Sequence, residues 1–272
     1  MPDLYAEIRT ANRETQGMLA DAMITRAADG ALTTMRRQYF DWLGLPPGAR
    51  VAEIGCGPGD ITRDLKAATG AAEAIGIDPS PVMIERANQR HGDDPALGFV
   101  EGDARDLPLA DDSRDAVVFH TCLCHVPGPD GALAEARRIL KPGGRLAVFD
   151  GDYATATAAL GDRDPVGLAV DHAIANLVHD RWLARSLPAR IAAAGFETDR
   201  VDAHPYLAEG EAAYFMTLVE RGLAFMARDG LISDPAADAV RAEAASRVAA
   251  GTFFGFISFL SVLATRPAEP AA

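Results

Sequence analysis

Between Val51 and Asp60 the chain reads Val-Ala-Glu-Ile-Gly-Cys-Gly-Pro-Gly-Asp, an apolar strand carrying Glu53 that runs straight into a loop with glycines at 55, 57 and 59. A strand that turns this sharply into a helix needs residues without Cβ where the backbone bends and where a ligand comes close to the main chain. The pattern is that of a nucleotide-type cofactor loop. Spacing narrows the choice of cofactor. The dinucleotide fingerprint Gly-x-Gly-x-x-Gly would place its third glycine at 60, where this chain has Asp60, so a pyrophosphate is a poor guest. A P-loop ends in Gly-Lys-Ser/Thr, and Gly59-Asp60-Ile61 offers neither the lysine nor the hydroxyl, which argues against ATP.

The pattern Glu-x-Gly-x-Gly-x-Gly resembles the first motif of the class I S-adenosylmethionine (SAM) methyltransferases, and the resemblance continues into the next two strands. The second, Ala74-Ile-Gly-Ile-Asp78-Pro-Ser, ends in an acid 25 residues after Glu53. An ionised acid there accepts two ribose hydroxyl donors, which makes Asp78 the expected ribose ligand. The third strand ends in Gly102-Asp103-Ala104, similar to the family's adenine-edge motif, and the resemblance assigns the exocyclic amine to the Asp103 side chain. One terminal Asp alone is equally well read as a helix cap or turn residue. Three acid-bearing strand ends in the family's order carry the assignment. What the resemblance implies is SAM as cofactor, S-adenosylhomocysteine as its product, and no metal. The implied cofactor residues are Glu53, Gly55, Cys56, Gly57 and Gly59 in the loop, then Asp78, Pro79 and Met83, then Gly102, Asp103 and Ala104, and finally His120 and Thr121 after the fourth strand.

The reaction implied is methyl transfer to a small organic acceptor. The sulfonium methyl is already activated, so the main task is to hold a nucleophile in line with it, which can lower a barrier by about 7–11 kcal/mol. The loop from His120 to Pro127 occupies the family's substrate-facing position. It has no Asn/Asp-Pro-Pro-Tyr sequence of the kind found in DNA and protein-glutamine methyltransferases. Its His-Val-Pro ending is more similar to enzymes acting on quinones, sterols and polyketides, the ubiquinone/menaquinone-methyltransferase-like subgroup. His125 is a candidate general base, because imidazole titrates near neutral pH, or alternatively a packed histidine at a helix start. Asp152 and Tyr153 leave the fifth strand, either to orient a substrate hydroxyl or amine or to cap the next helix. Tyr5 joins the substrate candidates from the N-terminal segment, and Phe215 and Met226 from a broad apolar surface that also includes Tyr214, Leu218, Val219, Leu223 and Phe225. That surface is wider than one helical stripe, and reads as a wall for an apolar, aromatic or prenylated acceptor, or else as core or a homodimer face. Cys122, Cys124 and His125 lack the second ligand cluster of a closed zinc site. Two rivals keep the cofactor but not the transfer: a protein using the sulfonium for cyclisation or decarboxylation, and a non-catalytic SAM sensor.

Elements must hold these residues on one edge. Strands are expected at 51–54, 73–77, 97–101, 115–119 and 145–150, the last after a tight turn at 141–144, with helices at 59–69, 80–90 and 130–140. Short connections between near-continuously apolar strands predict an α/β, Rossmann-like sheet of seven mostly parallel strands, with helices on both faces and an antiparallel edge strand. Helices at 168–177 and 182–194 and strands at 197–203 and 256–264 complete it. The expected organisation is an N-terminal helical lid (1–46, helices within 3–44), a SAM-binding core (47–204), a helical cap (205–252, helices at 211–228 and 234–250) and a last strand with a fraying tail (253–272). Gly30, Gly210, Gly222 and Gly230 are the expected bending points of a mobile cover.

With 272 residues, one large domain and a small cap are accommodated. The 39 acidic residues against 26 basic ones give a formal net charge of −13, a surface that repels a phosphate backbone and argues against nucleic acid. Three cysteines without a paired framework fit a reducing compartment, and the first residues lack a basic-then-apolar leader pattern, so a cytoplasmic location without membrane insertion is expected.

Overall fold

The computed structural model describes residues 5–208 and 212–268. Helices α1 (Arg13–Ala27) and α2 (Gly30–Asp41) come first. The alternation then runs β1 (Arg50–Ile54), α3 (Asp60–Thr69), β2 (Glu73–Asp78), α4 (Pro81–His91), β3 (Leu97–Glu101), β4 (Arg114–His120), α5 (Pro129–Ile139) and β5 (Leu140–Thr157). Helices α6 (Pro165–Leu177) and α7 (Leu183–Ala193), strand β6 (Glu197–Ala208), helices α8 (Ala213–Arg228) and α9 (Asp234–Ala249) and strand β7 (Gly255–Thr265) follow. Local chemistry fixes several starts. Asp29 accepts from the Leu32 N–H at the head of α2, and Ser80 and Asp164 cap α4 and α6 with proline in the first turn.

The strands form one sheet in the order β3-β2-β1-β4-β5-β7-β6. Strands β1 to β5 pair in parallel, and β7 runs antiparallel to both β5 and β6. The chain order reverses between β1 and β4, so a crevice opens beyond their carboxyl ends. Val51, Ala52, Val117, Val118, Leu146 and Val148 are fully enclosed between the helical layers, as a doubly covered sheet requires.

Several boundaries differ from those expected. Strand β5 continues to Thr157 because Asp150, Gly151 and Asp152 stay paired with Leu260, Phe259 and Ser258 of β7. The turn at 141–144 is absorbed as a register break, Arg114 opposite Leu140 and then Ala116 opposite Arg145. Helix α2 is part of the core and not a detachable lid: Tyr39, Phe40 and Leu43 are buried in it, and the Tyr39 ring stacks on Phe149 at 5.3 Å. Helix α8 is built in as well. Gly222 lies so close to the Ala169 carbonyl of α6 that no Cβ fits between them, so this glycine serves close packing and not bending. Gly30 is the first residue of α2, and Gly230 turns α8 toward α9. Gly210, position 211, residues 1–4 and the last four of the tail lie outside the described residues. Arg266, in the tail expected to fray, is buried, paired with Asp112 and bonded to the Arg137 carbonyl at 3.0 Å. Among the described residues no helix is long and apolar enough to cross a membrane.

Candidate active site

A cavity opens at the carboxyl ends of β1 to β4. Gly55, Asp78, Pro79, Gly102, Asp103, Ala104, Thr121 and His125 line it from the sheet side, and Tyr5, Ile8, Arg9, Met23 and Arg26 from the N-terminal side. Gly55 and Gly57 have φ of 76° and 51°, a backbone conformation that disfavours side chains. A Cβ at 55 would also collide with Cys122 Sγ, and one at 57 with the Met23 side chain of α1. The close approach to Gly57 is thus made by Met23, a flexible group that a ligand can displace.

Asp78 ends β2, buried. Its Oδ2 accepts from the Gly57 N–H and its Oδ1 from the Ser80 N–H, both at 2.9 Å. Burial raises its carboxyl to about 6, against these two bonds, which favour the anion. A carboxylate still has lone pairs left for further donors. Asp103 is held differently: Arg105 binds its two oxygens at 2.9 and 2.7 Å and lowers its carboxyl to about 2.

Three expected cofactor residues sit behind this surface. Glu53 is buried, with its Oε2 accepting from the Thr62 hydroxyl at 2.5 Å, and burial raises its carboxyl well above the usual range. With Cys56 and His120 it lines a smaller adjoining cavity that Arg26 also reaches. Burial pushes the Cys56 thiol up and the His120 imidazole down, and His120 Nδ1 bonds the Tyr39 hydroxyl at 2.8 Å. Gly59 caps α3 from a left-handed conformation, away from the cavity. Met83 requires correction. It is fully buried against Ile8, Leu19 and Ala20, because α1 packs over that face of α4.

A second, smaller chamber shares Tyr5, Met23, Arg26 and His125 with the first and continues between β5, α6 and α8. Its further walls are Tyr153, Ile174, Leu177, Val178, Tyr214, Thr217, Leu218 and Arg221. His125 ends a single 3₁₀ turn, Leu123–His125, and its ring is tilted against Tyr5 with centroids 4.7 Å apart. Buried Asp150 accepts from the Cys124 and Gly151 N–H groups at 3.1 and 2.9 Å. Burial raises its carboxyl, and the Cys124 side chain and then His125 act in the opposite direction.

Three expected substrate residues lie elsewhere. Asp152 stays in β5 and pairs with Arg185 at 2.8 Å. Phe215 is 0% exposed, enclosed by Tyr206, Tyr214 and Phe253, and Met226 packs on the same core. The helical period explains this. On α8 the chamber stripe is Tyr214, Thr217, Leu218 and Arg221, spaced i, i+3, i+4, i+7, and it is partly polar, so a reading of apolar residues takes in Tyr214 and Leu218 but passes over Thr217 and Arg221. Met23 and Arg26 are missed for a related reason, since α1 has no clear apolar periodicity.

A family profile described as "Methyltransferase domain" matches residues 52–148. A demethylmenaquinone methyltransferase of Renibacterium salmoninarum is 31% identical over 185 residues, 68% of this chain and 68% of that one. An uncharacterised 37.1 kDa protein in transposon Tn4556 of Streptomyces fradiae is 36% identical over 176 residues, 63% of this chain. The chain spans 51% of the length of that relative. The solved [4+2]-cyclase SpnF shares the fold, with a TM-score of 0.54 at 23% identity over 86% of this chain and 82% of that one. Fold and site define a Rossmann-like protein with a ligand crevice at its strand ends. The chain belongs to the class I SAM-dependent methyltransferase family.

Proposed function

We propose that the protein binds SAM in the first chamber and methylates an apolar or aromatic small molecule in the second. The observation that most supports this is that the two chambers adjoin, with Tyr5, Met23, Arg26 and His125 in the walls of both. Methyl transfer needs donor and nucleophile in contact and in line, which adjoining chambers allow. SAM, when bound, supplies a sulfonium methyl, and the S–C bonding pair stays on sulfur. The chain does the rest. Asp78 accepts from the ribose hydroxyls, Tyr153, Ile174, Leu177 and Tyr214 exclude water from the acceptor, and His125 takes the acceptor's proton. Incubation with SAM and a panel of phenols and quinols, followed by mass spectrometry, tests the reading. A product heavier by one CH₂, formed together with S-adenosylhomocysteine, supports it. Rearranged product without a mass gain would point to a cyclase-like use of the sulfonium, and SAM binding without turnover on any substrate to a sensor.

The Asp78 assignment has two expected consequences. Asp78→Ala should weaken SAM binding by about 1.5–3 kcal/mol, the usual loss for hydrogen bonds to a charged acceptor. Isothermal titration at unchanged affinity, in a variant with a native circular dichroism spectrum, would remove Asp78 from the site. The second consequence is a pH dependence. Hydroxyl donors need the ionised acid, and the free carboxyl lies at about 6, so affinity should be full above pH 6 and fall as pH drops through it. An affinity that is flat across that range in the wild type would count against the assignment.

Met23 covers Gly57, so SAM entry requires its side chain to swing away, which loosens the packing of α1 over the cavity. Amide exchange in α1 should therefore change on SAM binding, while α2, fixed by Tyr39 and Phe40 in the core, should not respond. Equal changes in both helices would restore the picture of a single N-terminal lid.

A further inference from the structure

We propose that the second chamber selects an acceptor with an anionic head on an apolar or aromatic body, the head held between Arg26 and Arg221. The proposal rests on reading that chamber as the acceptor site. In so acidic a chain many arginines are paired: Arg36 with Asp64, Arg90 with Asp60, Arg138 with Glu135 and Arg247 with Asp164. Arg26 and Arg221 depart from this pattern. Arg26 Nη2 donates to Thr121 Oγ1 at 2.6 Å, and Arg221 donates to the Tyr5 hydroxyl at 3.3 Å and the Met18 carbonyl at 3.4 Å. Among the described residues neither is ion-paired, and these acceptors are neutral.

Both arginines are half-buried and line one chamber, whose lining among the described residues includes no Asp or Glu. In a protein with 39 acidic side chains, that exclusion concentrates positive potential in one place. A neutral acceptor closing the chamber would desolvate two guanidinium groups and offer neither an anionic partner, whereas an oxyanion would give both a charge-assisted bond. Carboxylate, phosphate-ester and acidic enol heads share this chemistry. Ile174, Leu177, Val178 and Leu218 supply the apolar surface for the rest of the molecule.

The test uses the full chain saturated with S-adenosylhomocysteine, and calorimetric titration with 2-naphthoate and with its neutral isostere 2-naphthamide. Naphthoate should bind at least about tenfold more tightly, with the preference reduced by added salt. Arg221→Gln should abolish the preference and leave S-adenosylhomocysteine affinity unchanged, and Arg221→Lys should keep part of it. Circular dichroism of each variant checks folding. Equal affinity for the two probes, or no binding of either beside bound S-adenosylhomocysteine, would overturn the proposal. So would an Arg26→Gln variant that loses S-adenosylhomocysteine affinity but keeps full naphthoate preference, because Arg26 would then serve the cofactor. If S-adenosylhomocysteine itself does not bind, the cofactor reading fails, and the same two probes titrated without it still decide whether the chamber is anion-selective.

Discussion

Replacing His125 by alanine is expected to lower methyl-transfer turnover by about 10²–10⁴-fold while changing SAM affinity little. Four residues bridge the two chambers: Tyr5, Met23, Arg26 and His125. Met23 carries no proton to exchange, and a guanidinium keeps its protons. An imidazole is the side-chain type suited to proton transfer near neutrality, and His125 is positioned by its 3₁₀ turn, its contact with Tyr5 and its electrostatic coupling to buried Asp150. His125→Gln retains the bulk and hydrogen bonding of the ring without its basicity, so it should resemble alanine in rate and the wild type in stability. Wild-type turnover by the alanine variant across pH 6–9 would exclude an essential base. A loss of only a few-fold would favour transfer driven by orientation alone.

What was legible in the sequence is what local chemistry dictates. Left-handed backbone at Gly55 and Gly57, a capping Ser80 before Pro81 and apolar runs in β1 and β4 each demand particular residue types within a few positions. The strand-end position of Asp78 follows from those elements. The misreadings all depend on distant partners. The extension of β5 through Asp152 is imposed by β7, over a hundred residues later in the chain, which keeps that carboxylate in the sheet beside Arg185. Met83 is taken by α1, whose Leu19 and Ala20 face α4 while Met23 and Arg26 face the cavity. Such a two-sided helix leaves no single apolar stripe to read. In α8 the chamber face is the more polar one, so hydrophobicity picks out its Tyr214 and Leu218 together with the core residues and leaves out Thr217 and Arg221.

That division of α8 gives the second large effect. Phe215→Ala is expected to destabilise the fold by about 3–5 kcal/mol, the cost of removing a fully buried aromatic side chain from a site that cannot collapse. The surroundings are rigid: the ring lies 5.9 Å from Tyr206 and 5.6 Å from Tyr214, and a Cβ at Gly255 would come within 2.7 Å of it. Behind it, Gly222 fixes α8 against the α6 backbone, so the helix cannot slide inward to fill the void without shifting α6 as well. For a chain of this size the loss corresponds to a fall in Tm of roughly 6–20 °C. Acceptor preference should be unaffected at temperatures where the variant remains folded, whereas Leu218→Ala, on the chamber face, should alter it. Urea unfolding, together with acceptor KM ratios for the two variants, separates these roles. Unchanged unfolding midpoints with a shifted acceptor preference in Phe215→Ala would mean that this ring meets substrate after all, and that the wall of the acceptor chamber extends through the stripe assigned to the core.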